Sequence, residues 1–253
     1  MEINKIYLGD AYKLIKNIPD KSIDCIYTDI PYLIIGANKR PTENINASTI
    51  AKQITHQVSV ELEGITEGID FKILDDFMRV MKQKVNIFIW ASKDQLLDLM
   101  NFFIGKHKCY YTPLVWCKTN PTPMCNGSWL PDIEYCLHFT KGVHLNDGYE
   151  LKSRFCVSAK NVAEKHLYEH PTIKPFGLVI RHLLHATQQG DVVLDPFSGS
   201  GTTCVASKEI NRRFIGIEID PRYHKISVDR LNGITAYGQT SIFTDYEQTE
   251  GDL

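Results

Sequence analysis

No stretch of this chain approaches the roughly 20 consecutive apolar residues that a membrane-spanning helix needs. The opening segment, MEINKIYLGD, has no apolar core of a secretory leader. A soluble, cytoplasmic protein is the expectation. The seven cysteines are odd in number and form no C-x-x-C pair, which speaks against a disulfide framework and against a zinc ribbon. Cys117, Cys125, His138 and His144 can be grouped as a metal set. Structural zinc sites use tighter spacing, so no metal is expected. Internal repeats and low-complexity tracts are missing. A basic surplus is missing as well: 28 Lys and Arg against 30 Asp and Glu leave a formal charge of −2. That balance counts mildly against a nucleic-acid enzyme but leaves room for a local basic groove.

What is present is an ordinary globular composition, 43% hydrophobic and 23% charged over 253 residues, enough for one sizeable core. The pattern is a strand–helix rhythm. Strands are expected at 5–8, 22–28, 85–90, 112–117, 133–140, 191–194 and 213–217, and helices at 11–17, 74–81, 94–103, 176–187, 201–209 and 223–231. The run VNIFIW at 85–90 is continuously apolar, as in a strand buried on both faces. The segments at 112–117 and 133–140 are joined without a helix and should pair antiparallel. Residues 36–68 and 145–170 are polar and aperiodic, and 232–253 reads as a C-terminal tail. Alternating strands and helices imply a mostly parallel sheet covered on both faces, with ligands at the carboxyl ends of the strands.

Residues 191–203 read DVVLDPFSGSGTT. An apolar strand ends in Asp195, turns through Pro196 and Phe197, and crosses Ser198, Gly199 and Gly201 into a helix at Thr202. Glycines let backbone approach a ligand, and a helix start offers free N–H groups. No Gly-Lys-Ser/Thr follows and the spacing is not G-x-G-x-x-G, so neither phosphate-loop type is matched. The carboxylate closing the strand suits a cationic ligand better than a pyrophosphate. A second strand ends in Glu218-Ile219-Asp220. Glu218 is placed to accept ribose hydroxyls, whereas Asp220, just before Pro221, reads as a helix cap. Near the other end of the chain, residues 28–32 read TDIPY.

Together DPFSGSGTT, GIEID and TDIPY resemble the motifs of the amino-methylating (adenine-N6 / cytosine-N4) DNA methyltransferases. LVWCKTNPTP and HPTIKP resemble two further elements of that family. The catalytic turn comes first and the cofactor turn last, the order of its β group. The resemblance covers nearly the whole chain. It implies an α/β, Rossmann-like, S-adenosylmethionine-dependent methyltransferase fold with a seven-stranded, mostly parallel sheet and circularly permuted motif order. One catalytic domain would span residues 1–253. Asp195, Pro196, Phe197, Ser198, Gly199, Gly201 and Thr202 would surround S-adenosylmethionine, with Glu218 on its ribose. Asp10 would contact its adenine, unless Asp10 only caps the helix at Ala11. Thr172 and Lys174 would line the methionine pocket or be ordinary loop residues.

The family's catalytic tetrapeptide is Asp/Asn/Ser-Pro-Pro-Tyr/Phe, and here Ile30 stands at its second position. The chemistry says which parts matter. An exocyclic amine is a weak nucleophile because its lone pair is delocalised into the ring. Accepting its two N–H bonds localises that pair. Asp29 supplies one acceptor and the backbone carbonyl of Ile30 the other. Pro31 holds Ile30 extended, and Tyr32 stacks on the flipped-out base. A carbonyl survives replacement of proline by isoleucine, so turnover is expected; a degenerate, binding-only homologue is the alternative. Asp rather than Ser at the first position favours adenine N6 over cytosine N4 within the family. Transfer is direct and in line, without a cysteine nucleophile. Methylation of RNA or of a protein glutamine is a competing reading. Partners are double-stranded DNA and, left open, a cognate restriction endonuclease and a second copy of the chain in a homodimer. Target recognition would come from insertions at 36–68 and 121–165, with Lys39, Arg40, Lys118, Asn120, Lys152, Arg154 and Lys160 as contact candidates or plain solvated charges.

Overall fold

The computed structural model describes residues 1–33, 68–121, 129–147, 152–160, 168 and 173–234. The described chain runs β1 (Lys5–Leu8), α1 (Ala11–Leu14, extended by a 3-10 turn at Ile15–Asn17), β2 (Cys25–Asp29), α2 (Ile73–Val80) and β3 (Val85–Ala91). It continues through α3 (Leu96–Met100, prolonged by wider π-type turns over Asn101–Lys106), β4 (Tyr110–Lys118), β5 (Ile133–Lys141) and β6 (Phe155–Ser158). It closes with α4 (Phe176–Ala186), β7 (Val192–Asp195), α5 (Thr202–Glu209), β8 (Arg213–Glu218) and α6 (Pro221–Leu231).

The strands form one sheet in the order β1-β8-β7-β2-β3-β5-β4-β6. β5 is antiparallel to both its neighbours, and every other pairing is parallel. Helices cover both faces. β3 shows why: all seven of its residues are buried, with Ile87 and Ile89 facing one layer and Phe88 and Trp90 the other. The first layer holds Ile15, Phe77 of α2 and Leu99 of α3. The second holds Leu178 and Leu183 of α4 and Ala206 of α5. Fully burying each of these leucine, isoleucine and phenylalanine side chains contributes about 1.5–3 kcal/mol.

The sheet has eight strands rather than the seven expected. The additional strand, β6, lies in the polar stretch 145–170. As an edge strand it needs no apolar run, and Phe155 and Val157 stay exposed. It is held by polar side chains of β4 and the residues after it. The Trp116 indole donates to Ser158 Oγ at 2.8 Å, and Asn120 Oδ1 accepts the Lys160 N–H at 2.6 Å. The stretch 121–165 is therefore not a pure insertion, since it contains β5 and β6. Residues 36–67 and 235–253, including Lys39 and Arg40, lie outside the described residues. Among the described residues no helix is long and apolar enough to cross a membrane, and the described cysteines are free.

The connections diverge at the centre of the sheet. From β7 the chain passes outward through α5 to β8, and from β2 it passes through α2 to β3 on the opposite side. β7 and β2 are neighbours, so their carboxyl ends flank the switch point where α/β sheets open a crevice.

Beneath that crevice Phe88 stacks on His138 with ring centroids 3.7 Å apart. His182 Nδ1 lies 3.0 Å from the Tyr27 hydroxyl, which accepts the Trp90 indole N–H at 3.1 Å. Burial pushes both histidines down to about 3, so they are neutral in the fold. An unfolded histidine takes up its proton near pH 6.5. Unfolding thus binds protons between about pH 6.5 and pH 3, and stability falls as pH is lowered through that window, by up to about 1.4 kcal/mol per unit per histidine. Urea midpoints measured from pH 7 to pH 5 are expected to fall, and less steeply in His182→Gln than in the unaltered chain. Equal slopes would contradict the assignment.

Candidate active site

β2 ends in Asp29, and the next three residues form the turn at the lip of the crevice. The Ile30 N–H donates to the Trp90 carbonyl at 3.2 Å, a bond that proline could not make. The Ile30 side chain is 1% exposed and belongs to the first core layer. A ladder bond and apolar anchoring therefore stand in for ring rigidity. The rest of the turn is clamped from the β3–α3 loop. Gln95, itself buried, donates to the Pro31 carbonyl at 2.9 Å, and Ser92 Oγ donates to the Leu33 carbonyl at 2.8 Å. Gln95 Oε1 accepts the Ser92 N–H at 3.1 Å, which locks the clamp. Among the described residues no hydrogen bond engages the Ile30 carbonyl.

Asp29 closes a row of alternating charges. The Lys174 ammonium lies 2.5 Å from Asp29 Oδ2 and 3.0 Å from Glu134 Oε2, and Lys118 lies 2.6 Å from Glu134 Oε1. The Tyr32 hydroxyl donates to Glu134 Oε2 at 3.2 Å. Lys174 sits 5.2 Å from the ring centre of Trp90 and 5.5 Å from that of Tyr32, within cation–π range. Asp29 Oδ1 is buried and has no hydrogen-bond partner among the described residues. Burial pushes the Asp29 carboxyl upward, and Lys174 opposes it. Burial works upward on Glu134 too, but Lys174 and Lys118 hold it down at about 2. Burial works downward on Lys174, and Asp29 and Glu134 overcome it, leaving the ammonium well above its ordinary range.

The turn after β7, expected to face the cofactor, begins one strand away. The Thr28 hydroxyl of β2 donates to Asp195 Oδ1 of β7 at 2.8 Å, and the Phe197 N–H donates to the same oxygen at 3.2 Å. Burial pushes Asp195 up to about 7 against these donors. Glu218, at the end of β8, accepts the Gly199 N–H at 2.7 Å and the Asp220 N–H at 2.9 Å. The Ser198 N–H donates to the Ile217 carbonyl at 2.9 Å, while Ser198 Oγ is buried and has no partner among the described residues. Phe197 is half-buried and meets Tyr12 edge-on at 6.3 Å. Pro196 is buried beside it. Gly201 has φ +77°, and a Cβ there would come within 2.8 Å of the Ser227 Cβ. Its glycine thus serves the contact of α5 with α6. Thr202 Oγ1 accepts from Arg230 at 2.8 Å, so its hydroxyl also faces α6.

The structure brings Asp29, Ile30, Pro31, Tyr32, Asp195, Phe197, Ser198, Gly199 and Glu218 to one edge of the sheet. Asp10, after β1, is the N-cap of α1 through its bond from the Tyr12 N–H at 2.9 Å, and Asp220 caps α6. Lys174, expected to line the methionine pocket or to be an ordinary loop residue, has Asp29 and Glu134 as its partners. Thr172 lies outside the described residues. Sequence reasoning missed Glu134, Gln95 and Ser92. Of the contact candidates, Lys118 is committed to Glu134, Asn120 to Lys160 and Lys152 to Asp147 at 2.7 Å.

A model of a DNA methylase family matches residues 23–229. The Type II methyltransferase M2.LlaDCHI of Lactococcus lactis subsp. cremoris is 29% identical over 258 residues, spanning 91% of this chain and 90% of that protein. M2.DpnII of Streptococcus pneumoniae is also 29% identical over 258 residues, spanning 90% of each. Among solved structures, the M1.HpyAVI complex with S-adenosylmethionine superimposes with TM-score 0.64 at 23% identity, over 90% of this chain and 99% of that one. The cytosine-N4-specific PvuII DNA methyltransferase gives 0.61 at 15% identity, over 89% and 85%. At these identities the two structures establish the fold.

The bond from Thr28 to Asp195 straps the two halves of the crevice. Thr28→Val keeps the shape and removes the donor. It is expected to lower the unfolding free energy by about 1–3 kcal/mol, read from urea unfolding at pH 7. An unchanged midpoint would show that the strap contributes nothing.

Proposed function

Because this chain belongs to the DNA methylase family of adenine-N6 and cytosine-N4 amino-methylating enzymes, we propose that it methylates adenine N6 in double-stranded DNA, holding a flipped-out base against Asp29. The family is one of DNA methylases, and in this reading the methyl donor is S-adenosylmethionine. The observation that carries the proposal is the pair of unoccupied acceptors at the lip of the crevice: the buried Asp29 Oδ1 and the Ile30 carbonyl.

The residues opposite fit the cofactor. Acidic Asp195 and Glu218, half-buried Phe197 and the orphaned Ser198 hydroxyl make an electron-rich, partly apolar cradle, suited to a cationic amino-acid nucleoside. When bound, S-adenosylmethionine supplies an electrophilic methyl group on a sulfonium. Ser198 and the turn at Phe197 would hold its methionine part and Glu218 its ribose. The protein's contribution to the chemistry is orientation. Asp29 Oδ1 and the Ile30 carbonyl accept the two N–H bonds of the base and localise its lone pair on nitrogen. The bound sulfonium would supply the methyl group to that nitrogen, with sulfur as the leaving group. One amine proton leaves toward Asp29 Oδ1. Tyr32 supports the base by stacking.

Asp29 in place of serine supports adenine as the target. Residues 36–68 and the parts of 121–165 outside β5 and β6 are assigned to target recognition, and pairing with a restriction endonuclease is supported by the Type II designation of the relatives. Homodimerisation and a cytoplasmic site of action belong to the same reading. Incubation with tritiated S-adenosylmethionine and unmethylated DNA, followed by digestion to nucleosides, is expected to give N6-methyladenine. N4-methylcytosine would overturn the choice of base, and label in RNA or protein alone the choice of substrate. Asp29→Ala is expected to abolish transfer while cofactor binding, measured by calorimetry, persists.

A further inference from the structure

Lys174 is the pivot of the charged row. An ammonium has three N–H donors, and three oxygen partners lie around this one: Asp29 Oδ2, Glu134 Oε2 and the Tyr32 hydroxyl, the last at 3.4 Å. With 10% of its side chain exposed and two aromatic rings beside it, it has little freedom to leave. We propose that Lys174 and Glu134 are positioning residues for the transfer step. Lys174 occupies Oδ2 of Asp29 and leaves Oδ1 as the single carboxylate acceptor for the base amine. Glu134, anchored by Lys118, shares Lys174 and so sets how far Asp29 is neutralised. The inference rests on the reading of Asp29 as the amine acceptor.

The row Lys118, Glu134, Lys174, Asp29 alternates in sign and sums to zero. Removing one member leaves an uncompensated charge in a poorly hydrated site. Without Glu134, Lys174 keeps Asp29 as its one carboxylate partner. That carboxylate is then held more tightly and accepts less readily from the amine. Without Lys174, Glu134 keeps Lys118 while Asp29 loses its cation, and Asp29 takes up a proton at higher pH. Other groups facing Asp29 are Tyr32 on its own turn, Tyr27 on its own strand, Cys136 on β5 and Asp195 on β7. Of the charged neighbours, Lys174 lowers the Asp29 pKa and Glu134 raises it. Transfer requires ionised Asp29, so activity is lost as pH falls through that pKa. The two removals should therefore move the acid limb in opposite directions.

The test is the pH dependence of single-turnover methyl transfer with full-length enzyme, saturating S-adenosylmethionine and saturating DNA, which sets aside titration that acts on binding. Lys174→Met is expected to move the acid limb up by about 1–3 units, and Lys174→Arg to keep it near that of the unaltered enzyme. Glu134→Gln is expected to move it down and to lower the plateau rate, with cofactor affinity unchanged. Damage to folding alone lowers the plateau without displacing the limb. Limbs that stay in place, or move in the same direction, overturn the proposal. Should one variant fail to fold, the direction in the other decides. Asp29→Ala is run alongside: turnover in that variant overturns the underlying reading, whereas its loss together with unmoved limbs overturns only the role of Lys174 and Glu134.

Discussion

Thr28 and Asp195 are 167 residues apart in the chain, yet the hydroxyl of one donates to the carboxylate of the other. That contact is possible because β2 and β7 pair side by side, with Cys25 opposite Val193 and Ile26 opposite Leu194. The rest of the site follows from this register. Each strand exits the sheet at the same edge and the chain turns away in opposite directions, so one turn can carry the amine-binding residues and the other the cofactor residues without either crossing the crevice. A one-residue slip would send every side chain to the opposite face. The apolar alternation of Ile26 and Tyr27 between the two core layers holds the register.

The second constraint is charge. Asp29, Lys174, Glu134 and Lys118 are all largely withdrawn from water, and a buried ion is tolerated when it is paired and hydrogen-bonded. Pairing in a row gives each inner member two partners and leaves a single carboxylate oxygen unused. This also gives physical content to two sequence elements. Trp116, Lys118 and Asn120 alternate along one side of β4 and beyond, where they hold Ser158, Glu134 and Lys160 in turn. Lys174 lies one residue before Pro175, the N-cap of α4, so the start of that helix fixes the ammonium over the catalytic turn.

Much of this was legible in the sequence because it is periodic or punctuated. The buried run at β3, the turn after β7 and the Asp220-Pro221 cap each follow from one local rule. Glu134 was not legible because ligands were sought at the carboxyl ends of strands, and β5 runs the other way. Its amino end therefore reaches the active edge, with Glu134 opposite Trp116. Assigning β5 as antiparallel and then asking which residue opens it would have found Glu134. β6 was missed because an edge strand with exposed Phe155 and Val157 carries no burial pattern. Gly201 was read as making room for a ligand, and only packing against Ser227 reveals its other demand. Lys174 belongs to a motif whose spacing says nothing about which half of the site it serves.

In the proposed reading the Asp29 carboxylate and the cofactor turn face one another across the β2–β7 crevice. The most direct measurement is a crystal structure with target DNA and a non-reactive analogue of S-adenosylmethionine. The expected result places an adenine N6 within hydrogen-bond distance of Asp29 Oδ1 and the Ile30 carbonyl, about 3–3.5 Å from the position of the transferable carbon. A base seated elsewhere, or an analogue held away from Phe197 and Glu218, would contradict it.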